Sequence, residues 1–279
     1  MNVDEKIAIA KSREYIVSKS NAIVQKSRYS FTLQEQRMIA YICSKIKPVN
    51  AVDRANGTPY QLEYDFNIME YANICGISYS GVFYTQIKAS LQGLSEKGMW
   101  LMRPDGGEAL VHWLNKAIVY KRKGIVKIRI DEDLAPYLFD LKSRFVSYGL
   151  KNILNMKSQY SIRIYELIKS YYGLKVGQID HRKGDEKDNS PLPVIWVIDL
   201  DTFKKRIMVD SIKTYASFKE LKKRILSVAQ NEINTLTDIK VEFQPVKEGR
   251  RITKLKIIII SKRPLERLVI SRLNDELLD

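Results

Sequence analysis

The sequence predicts an α+β protein of two tandem domains, residues 1–150 and 151–279, related by internal pseudo-two-fold symmetry. Three observations carry this. The chain has 279 residues with 45% hydrophobic and 10% aromatic content, enough for two packed cores of ordinary size. Apolar positions recur between the two halves in the same order and at a nearly fixed offset. Each half then reads as helix, strand, short helix, turn, longer helix and hairpin.

The first helices are Leu33–Lys47 and Gln159–Tyr172, where R-M-I-A-Y-I from Arg37 lines up with R-I-Y-E-L-I from Arg163 at an offset of 126. Short strands follow at Tyr60–Tyr64 and Val194–Ile198, from their alternation and β-branched content. Short helices then start from acidic caps at Asp65 and Asp199. Longer helices run over Val82–Lys97 and Phe218–Leu236. From here the offset is 134, pairing Asp65 with Asp199, Phe66 with Leu200, Met69 with Phe203, Tyr84 with Phe218, Ile87 with Leu221, Lys88 with Lys222, Leu91 with Ile225 and Leu94 with Val228. The eight-residue change in offset falls in the connection after Tyr172, a charged loop across Gly173–Pro193. Each half closes with a hairpin, turning at R-P-D-G-G-E (Arg103–Glu108) and at P-V-K-E-G-R-R (Pro245–Arg251). This is the order of a winged helix-turn-helix, a helix-turn-helix plus a β-hairpin wing. The C-terminal R-P-L-E-R-L-V-I-S-R-L-N-D-E-L-L-D reads as an amphipathic helix that packs on the second domain or contacts a host protein.

Charge points to the partner. The net charge is +15, which favours polyanions. Residues 1–150 hold 21 Lys+Arg against 15 Asp+Glu, and residues 151–279 hold 26 against 17, so the second half is the more basic. Phe203–Arg224 has eight bases against Asp210 and Glu220, and Lys247–Arg263 has seven against Glu248, so the helix-turn-helix and the wing each carry +6. Such an arrangement suits a helix in the major groove and a wing along the backbone.

Along the long helix of the second domain, Phe218, Leu221, Ile225, Val228, Ala229, Ile233 and Leu236 share a face and form the predicted core stripe. Ser217-x-x-Glu220 matches a capping box that would start the helix at Ser217. The expected DNA-binding residues there are Arg206, Lys213, Thr214, Tyr215, Ser217, Lys219, Lys222, Lys223 and Arg224, with Lys247, Arg250 and Arg251 on the wing. The matching segment of the first domain has Tyr79, Ser80, Gln86 and Lys88, with Lys88 as its single base, and suits an auxiliary contact or dimerisation.

Enzyme chemistry lacks its parts. His112 and His181 are the only histidines and lie far apart, so a zinc site, a His-based triad and the paired-histidine metal site of rolling-circle nickases are all short of residues. There is no G-x-x-x-x-G-K-[ST] phosphate loop. Acidic pairs such as Asp199/Asp201 and Glu132/Asp133 fall at expected helix starts and read as caps. No enzyme, cofactor or metal site is expected. Cys43 and Cys75 have no partner motif and read as core thiols. The opening M-N-V-D-E-K-I-A-I-A is no secretory signal, and Ile257–Ile260 is too short to span a bilayer, so a cytoplasmic protein without membrane contact is expected.

S-K-S-N-A-I-V-Q-K-S-R-Y-S-F-T-L-Q-E-Q-R-M-I-A-Y-I (Ser18–Ile42) and K-S-Q-Y-S-I-R-I-Y-E-L-I-K-S-Y (Lys157–Tyr171) resemble the initiator Rep proteins of theta-replicating, iteron-bearing bacterial plasmids. The resemblance spans roughly Tyr15 to Lys262. It implies a monomer that binds double-stranded iteron repeats at the origin and recruits host replication proteins. It also implies a homodimer, joined through the first domain and in equilibrium with the monomer, that represses its own gene. A winged-helix transcriptional repressor with no initiator role is the alternative within the fold; an RNA-binding protein or nickase is the alternative outside it.

Overall fold

The computed structural model describes residues 11–27, 30–46, 59–78, 80–103, 105–141, 144–176 and 192–278. The chain forms two compact units, Met1–Asn155 together with Asp275–Asp279, and Met156–Asn274. Tyr79, His181 and most of the predicted Gly173–Pro193 loop lie outside the described residues.

The first unit begins with strand β1 (Ile16–Ser20) and a short helix α1 (Asn21–Lys26). Helix α2 (Leu33–Lys45) starts with a complete capping box: Thr32 accepts from the Glu35 amide at 3.3 Å, and Glu35 accepts from the Thr32 amide at 2.7 Å. Strand β2 (Glu63–Asn67) then leads into helix α3 (Ile68–Ile74), and helix α4 (Gly81–Glu96) follows a turn. A hairpin of β3 (Met99–Met102) and β4 (Glu108–Val111) comes next. Strands β5 (Leu114–Tyr120) and β6 (Ile125–Ile130) complete a three-stranded sheet of order β2-β6-β5, and β7 (Phe145–Gly149) pairs antiparallel with β1. The core centres on an aromatic cluster, with Tyr41 at 5.4 Å from Phe66 and 4.9 Å from Tyr71 between ring centroids. Such edge and tilted contacts add to the burial of these large side chains.

The second unit repeats the scheme. Helix α5 (Gln159–Val176) is followed by β8 (Val194–Asp199) and helix α6 (Leu200–Arg206). The long helix expected to read DNA, hereafter the reading helix, comes in two α segments, α7 (Phe218–Leu221) and α8 (Ser227–Leu236), joined by a π turn at Lys222–Leu226. Strands β9 (Ile239–Glu248) and β10 (Arg251–Ser261) complete a sheet of order β8-β10-β9, the arrangement of the first unit. Helix α9 (Pro264–Leu278) closes the chain, and its buried Asn274 donates to the Leu236 carbonyl at 2.8 Å. Ile257 and Ile259 of the aliphatic run are fully buried and alternate with half-buried Ile258 and Ile260, as a strand requires.

Several expectations need correction. The first-domain strand is Glu63–Asn67, not Tyr60–Tyr64. The cap of the following helix is Asn67, whose Oδ1 accepts from the Met69 and Glu70 amides at 2.8 and 3.1 Å, so Asp65 is a strand residue. The short helices therefore correspond at an offset of 132, buried Ile68 and Tyr71 matching buried Leu200 and Phe203, while Met69 is exposed. The turn confirms that offset. Gly76 and Ile77 amides donate to Asn73 and Ala72 carbonyls, and Met208 and Val209 amides donate to Lys205 and Lys204 carbonyls, with φ of 62° at Gly76 and 60° at Met208. On the longer helices the offset of 134 holds for Tyr84/Phe218, Ile87/Leu221, Lys88/Lys222 and Leu91/Ile225, which share burial, and fails at Leu94/Val228, where Leu94 is buried and Val228 exposed.

The first-domain wing is also displaced. In each unit the strand before the helix-turn-helix pairs with the return strand of one hairpin, and in the first unit that hairpin is β5–β6, turning at K-R-K-G (Lys121–Gly124). The Arg103–Glu108 turn belongs to the separate β3–β4 hairpin. Gly124 and Gly249 mark corresponding wing turns, with φ of 63° and 62° in the left-handed region that glycine adopts without strain.

Candidate nucleic-acid interface

Asp199 starts the helix-turn-helix of the second unit by accepting from the Thr202 amide at 2.7 Å, and that backbone hydrogen bond holds its carboxyl below the usual range. The α6 helix buries Leu200 and Phe203 and turns Lys204 inward as well, while Lys205 stays exposed. Arg206 is half-buried: its guanidinium lies 5.4 Å from the Tyr171 ring centroid and donates to the Tyr171 hydroxyl, and its carbonyl accepts from Arg163 at 3.0 Å. Tyr171 in turn stacks on Trp196 at 3.9 Å. Arg206 thus ties α5 to the helix-turn-helix.

The turn continues through a 3₁₀ segment, Lys213–Ala216, that leaves Lys213 and Thr214 exposed and packs Tyr215 edge-on to Tyr160. Burial raises the Tyr215 pKa above its ordinary value. The predicted capping box at Ser217 does not form, because Glu220 reaches forward to Arg224 at 2.7 Å instead of back to the cap. That partner keeps the Glu220 carboxyl below its usual range and raises Arg224. Lys219, Lys222 and Lys223 are exposed and make no ion pair among the described residues. Leu221, Ile225, Leu226, Ala229, Ile233 and Leu236 are buried, whereas Val228, expected in the core, is 38% exposed. The π turn explains both changes, since its extra residue rotates all that follows.

The wing supplies the other edge. Lys247, Arg250 and Arg251 are exposed around the Gly249 turn without ion pairs among the described residues, while Lys254 is held by Glu248 at 2.7 Å. The supports of this surface come from α5. Glu232 of the reading helix accepts from the Lys157 amide at 2.9 Å, and Asp238 just beyond it accepts from the Tyr165 hydroxyl and from Lys169 at 2.8 and 2.7 Å. The K-S-Q-Y-S-I-R-I-Y segment therefore braces the reading helix. Lys262, buried, donates to the carbonyls of Asn234 and Thr237 at 2.5 and 2.7 Å at the helix's far end, and burial lowers its pKa to about 8.

In the first unit Ser80 is the N-cap of α4, its hydroxyl accepting from the Phe83 amide at 3.2 Å. Gln86 and Lys88 are exposed on that helix. Sequence reasoning missed Lys121, Arg122 and Lys123, all exposed at the wing turn, with the Lys121 ammonium 5.4 Å from the Tyr84 ring of α4. A groove between α4 and β5 is lined by Lys88, Gln92, Ser95, Asn115 and Lys116. The signal was present as a basic run ending in glycine between two β-branched stretches. Cys43 and Cys75 are buried thiols outside any disulfide among the described residues, and burial raises Cys75 to about 11.

Two helix-turn-helix units, each closed by a three-stranded sheet with a hairpin wing, define a tandem winged-helix protein. The family description Initiator Replication protein, WH1, matches residues 16–169, and Initiator Rep protein, WH2, matches 199–259. The chain belongs to the initiator replication protein family. It is 27% identical over 239 residues to a replication initiation protein of Escherichia coli, covering 85% of this chain and 67% of that one. Over 146 residues it is 27% identical to the PI protein of Escherichia coli, covering 48% of this chain and 43% of that one. A crystal structure of Pi initiator protein in complex with iteron DNA superposes with a TM-score of 0.65 at 18% identity, covering 90% of this chain and 99% of that chain.

Proposed function

We propose that this protein initiates plasmid replication by binding repeated double-stranded DNA sites, iterons, at the origin, with the second domain as the main reader. The observation that carries the reading is the set of seven exposed bases without ion pairs among the described residues, Lys213, Lys219, Lys222, Lys223, Lys247, Arg250 and Arg251, placed on the helix-turn-helix and wing of one unit. Family membership supports the initiator role, and the relative solved with iteron DNA supports the choice of ligand. The first domain adds an auxiliary contact through Gln86, Lys88 and its basic wing at Lys121–Lys123. We assign to the same domain a homodimer in equilibrium with the DNA-binding monomer. Trp100 and Leu110, 58% and 53% exposed and directly opposite each other on β3–β4, offer an apolar patch for it. Autorepression by the dimer and recruitment of host replication proteins complete the proposal.

The test is titration of the protein onto duplexes of about two to three helical turns bearing the direct repeats upstream of its gene. Affinity should exceed that for scrambled duplexes and fall steeply with salt. Equal affinity for both overturns the reading. Arg250→Ala/Arg251→Ala should then cost more affinity than Lys121→Ala/Arg122→Ala/Lys123→Ala; the reverse order moves the main reading to the first domain. A plasmid carrying only this gene and its upstream repeats should replicate, and its failure to do so would leave a transcriptional repressor.

A further inference from the structure

The reading helix of the second unit contains a π turn at its most basic segment, Lys222–Leu226, closed by the Ser227 amide donating to the Lys222 carbonyl. Its counterpart in the first unit, α4, is a regular α-helix over its whole length. A π turn is rare, and single ones concentrate at functional sites. Its geometric effect can be worked out. At about 100° per residue, the six buried residues Leu221, Ile225, Leu226, Ala229, Ile233 and Leu236 would spread over about 140° of a regular helix. Unwinding about 100° in total across the five-residue turn draws them into an arc of about 80°.

The same unwinding acts on the outer face. In a regular helix, residues four apart drift by about 40°, so Lys219, Lys223 and Ser227 would spiral around the surface. With the π turn they fall within about 20° of one another, near the pole opposite the core stripe. All three are exposed. Val228 leaves the core and Leu226 enters it, as this rotation requires.

We propose that the π turn is a positioning element for DNA recognition, which sets Lys219, Lys223 and Ser227 in one line along the face of the helix presented to the duplex. Leu226 is the residue it accommodates, and acts only through the register it imposes. The inference rests on the reading of this helix as the DNA-contacting one.

The experiment compares two full-length variants on the origin duplex. Deleting Leu226 closes the turn to regular α geometry while keeping Leu221, Ile225, Ala229, Ile233 and Leu236 on one face. Leu226→Ala loses the same packing but keeps the length. Each is measured with and without Lys223→Ala, because closing the turn rotates Lys223 by about 40° against Leu221 whereas Lys219, which precedes the turn, stays in place. Circular dichroism and the slope of log affinity against log salt are recorded for all. The deletion should bind about eightfold more weakly at about 0.1 M salt with a shallower slope, by about 0.9 per lost phosphate contact. Leu226→Ala should keep the native slope, and Lys223→Ala should weaken the wild type and Leu226→Ala but not the deletion. Equal losses in deletion and Leu226→Ala overturn the proposal. If Lys219→Ala and Lys223→Ala leave wild-type binding untouched, the underlying reading of this helix fails instead. Should the deletion not fold, the hydrogen-bond coupling between the Ser227 amide and the Lys222 carbonyl decides by NMR on the native protein. Its persistence on the origin duplex supports the proposal, and its replacement by a regular bond overturns it.

Discussion

Replacing Glu220 by Gln should make the protein bind DNA more tightly. Glu220 lies on the exposed start of the reading helix and holds the Arg224 guanidinium at 2.7 Å, although the Arg224 side chain is 60% exposed and free to reach solvent. In the native protein one basic group of the surface is therefore neutralised by its neighbour four residues back. Removing the carboxylate releases Arg224 and deletes a charge that repels phosphate. One further phosphate contact changes the slope of log affinity against log salt by about 0.9, equivalent to roughly eightfold in affinity at about 0.1 M salt. The fold should be little affected, because exposed ion pairs at this spacing contribute little to stability. Fluorescence anisotropy with an origin duplex across a salt series, together with a thermal melt, measures both. Weaker binding by Glu220→Gln, or tighter binding with an unchanged slope, would refute the reasoning, since either would mean that Arg224 serves DNA through its tether to Glu220.

Other perturbations test the scaffold. Met208 adopts φ 60° where the first unit has Gly76 at 62°, so Met208→Gly should stabilise the protein by about 1 kcal/mol, read by denaturant unfolding at constant slope. Gly76→Ala should destabilise it by more than that, because its Cβ would also meet the Leu278 carbonyl oxygen at 2.8 Å. Asp238 bridges Tyr165 and Lys169. Burial acts to raise its pKa, but the Lys169 ammonium and the two hydrogen bonds outweigh that and lower it. Its stabilisation is accordingly present above the unfolded pKa of about 3.9 and disappears as pH falls through the lower folded value. Lys169→Met should cost about 2–3 kcal/mol near neutral pH, with the gap to wild type closing in acid; a pH-independent gap would show a packing effect alone.

What the sequence made legible follows from where local chemistry had one solution. The capping residue Asp199, the wing at Gly249, the helix over Gln159–Tyr172 and the β8 strand each combine a turn or cap signal with an unambiguous period, and each is found in place. Where two solutions competed, reading failed. D-F-N offers two cap residues on the same face of a strand, and alternation cannot separate Asp65 from Asn67. R-P-D-G-G-E has stronger turn chemistry than K-R-K-G and comes first, so it captured the role of wing; only the pairing of β2 with β6 shows which hairpin closes the domain. Val228 and the Ser217 box failed because a fixed 100° period and a three-residue spacing say nothing of a π turn or of Arg224 as a rival partner for Glu220. For the candidate DNA surface, the second-domain bases were legible as an excess of charge, but their division into exposed, tethered and buried was not. Lys204 and Arg206 counted equally with Lys219 until packing took them inward.

The two units also show why charge could diverge while the scaffold did not. Their helix-turn-helix pairs share the hydrogen-bond pattern of the turn, residue for residue, at an offset of 132. Beyond it the chains part: Ser80 caps the next helix four residues after Gly76, whereas the next helix of the second unit starts from Ser217, nine residues after Met208, with no side-chain cap. The added length in the second unit includes the exposed Lys213 and Thr214, and the π turn lies just beyond, among Lys222, Lys223 and Arg224. The added bases at Lys213, Lys222, Lys223 and Arg224 are exposed, off the buried stripe that Ile225 and Leu226 of the turn belong to. Bases could accumulate there without cost to the core, and the turn of the helix could be adjusted to aim them. The first unit has the short connection and the regular helix, and carries its positive charge on the wing turn, where Lys121, Arg122 and Lys123 are exposed beside the left-handed Gly124. A surface built this way tunes affinity by substitution at exposed positions and register by single-residue changes in the reading helix, two independent routes to a new repeat sequence on one fold.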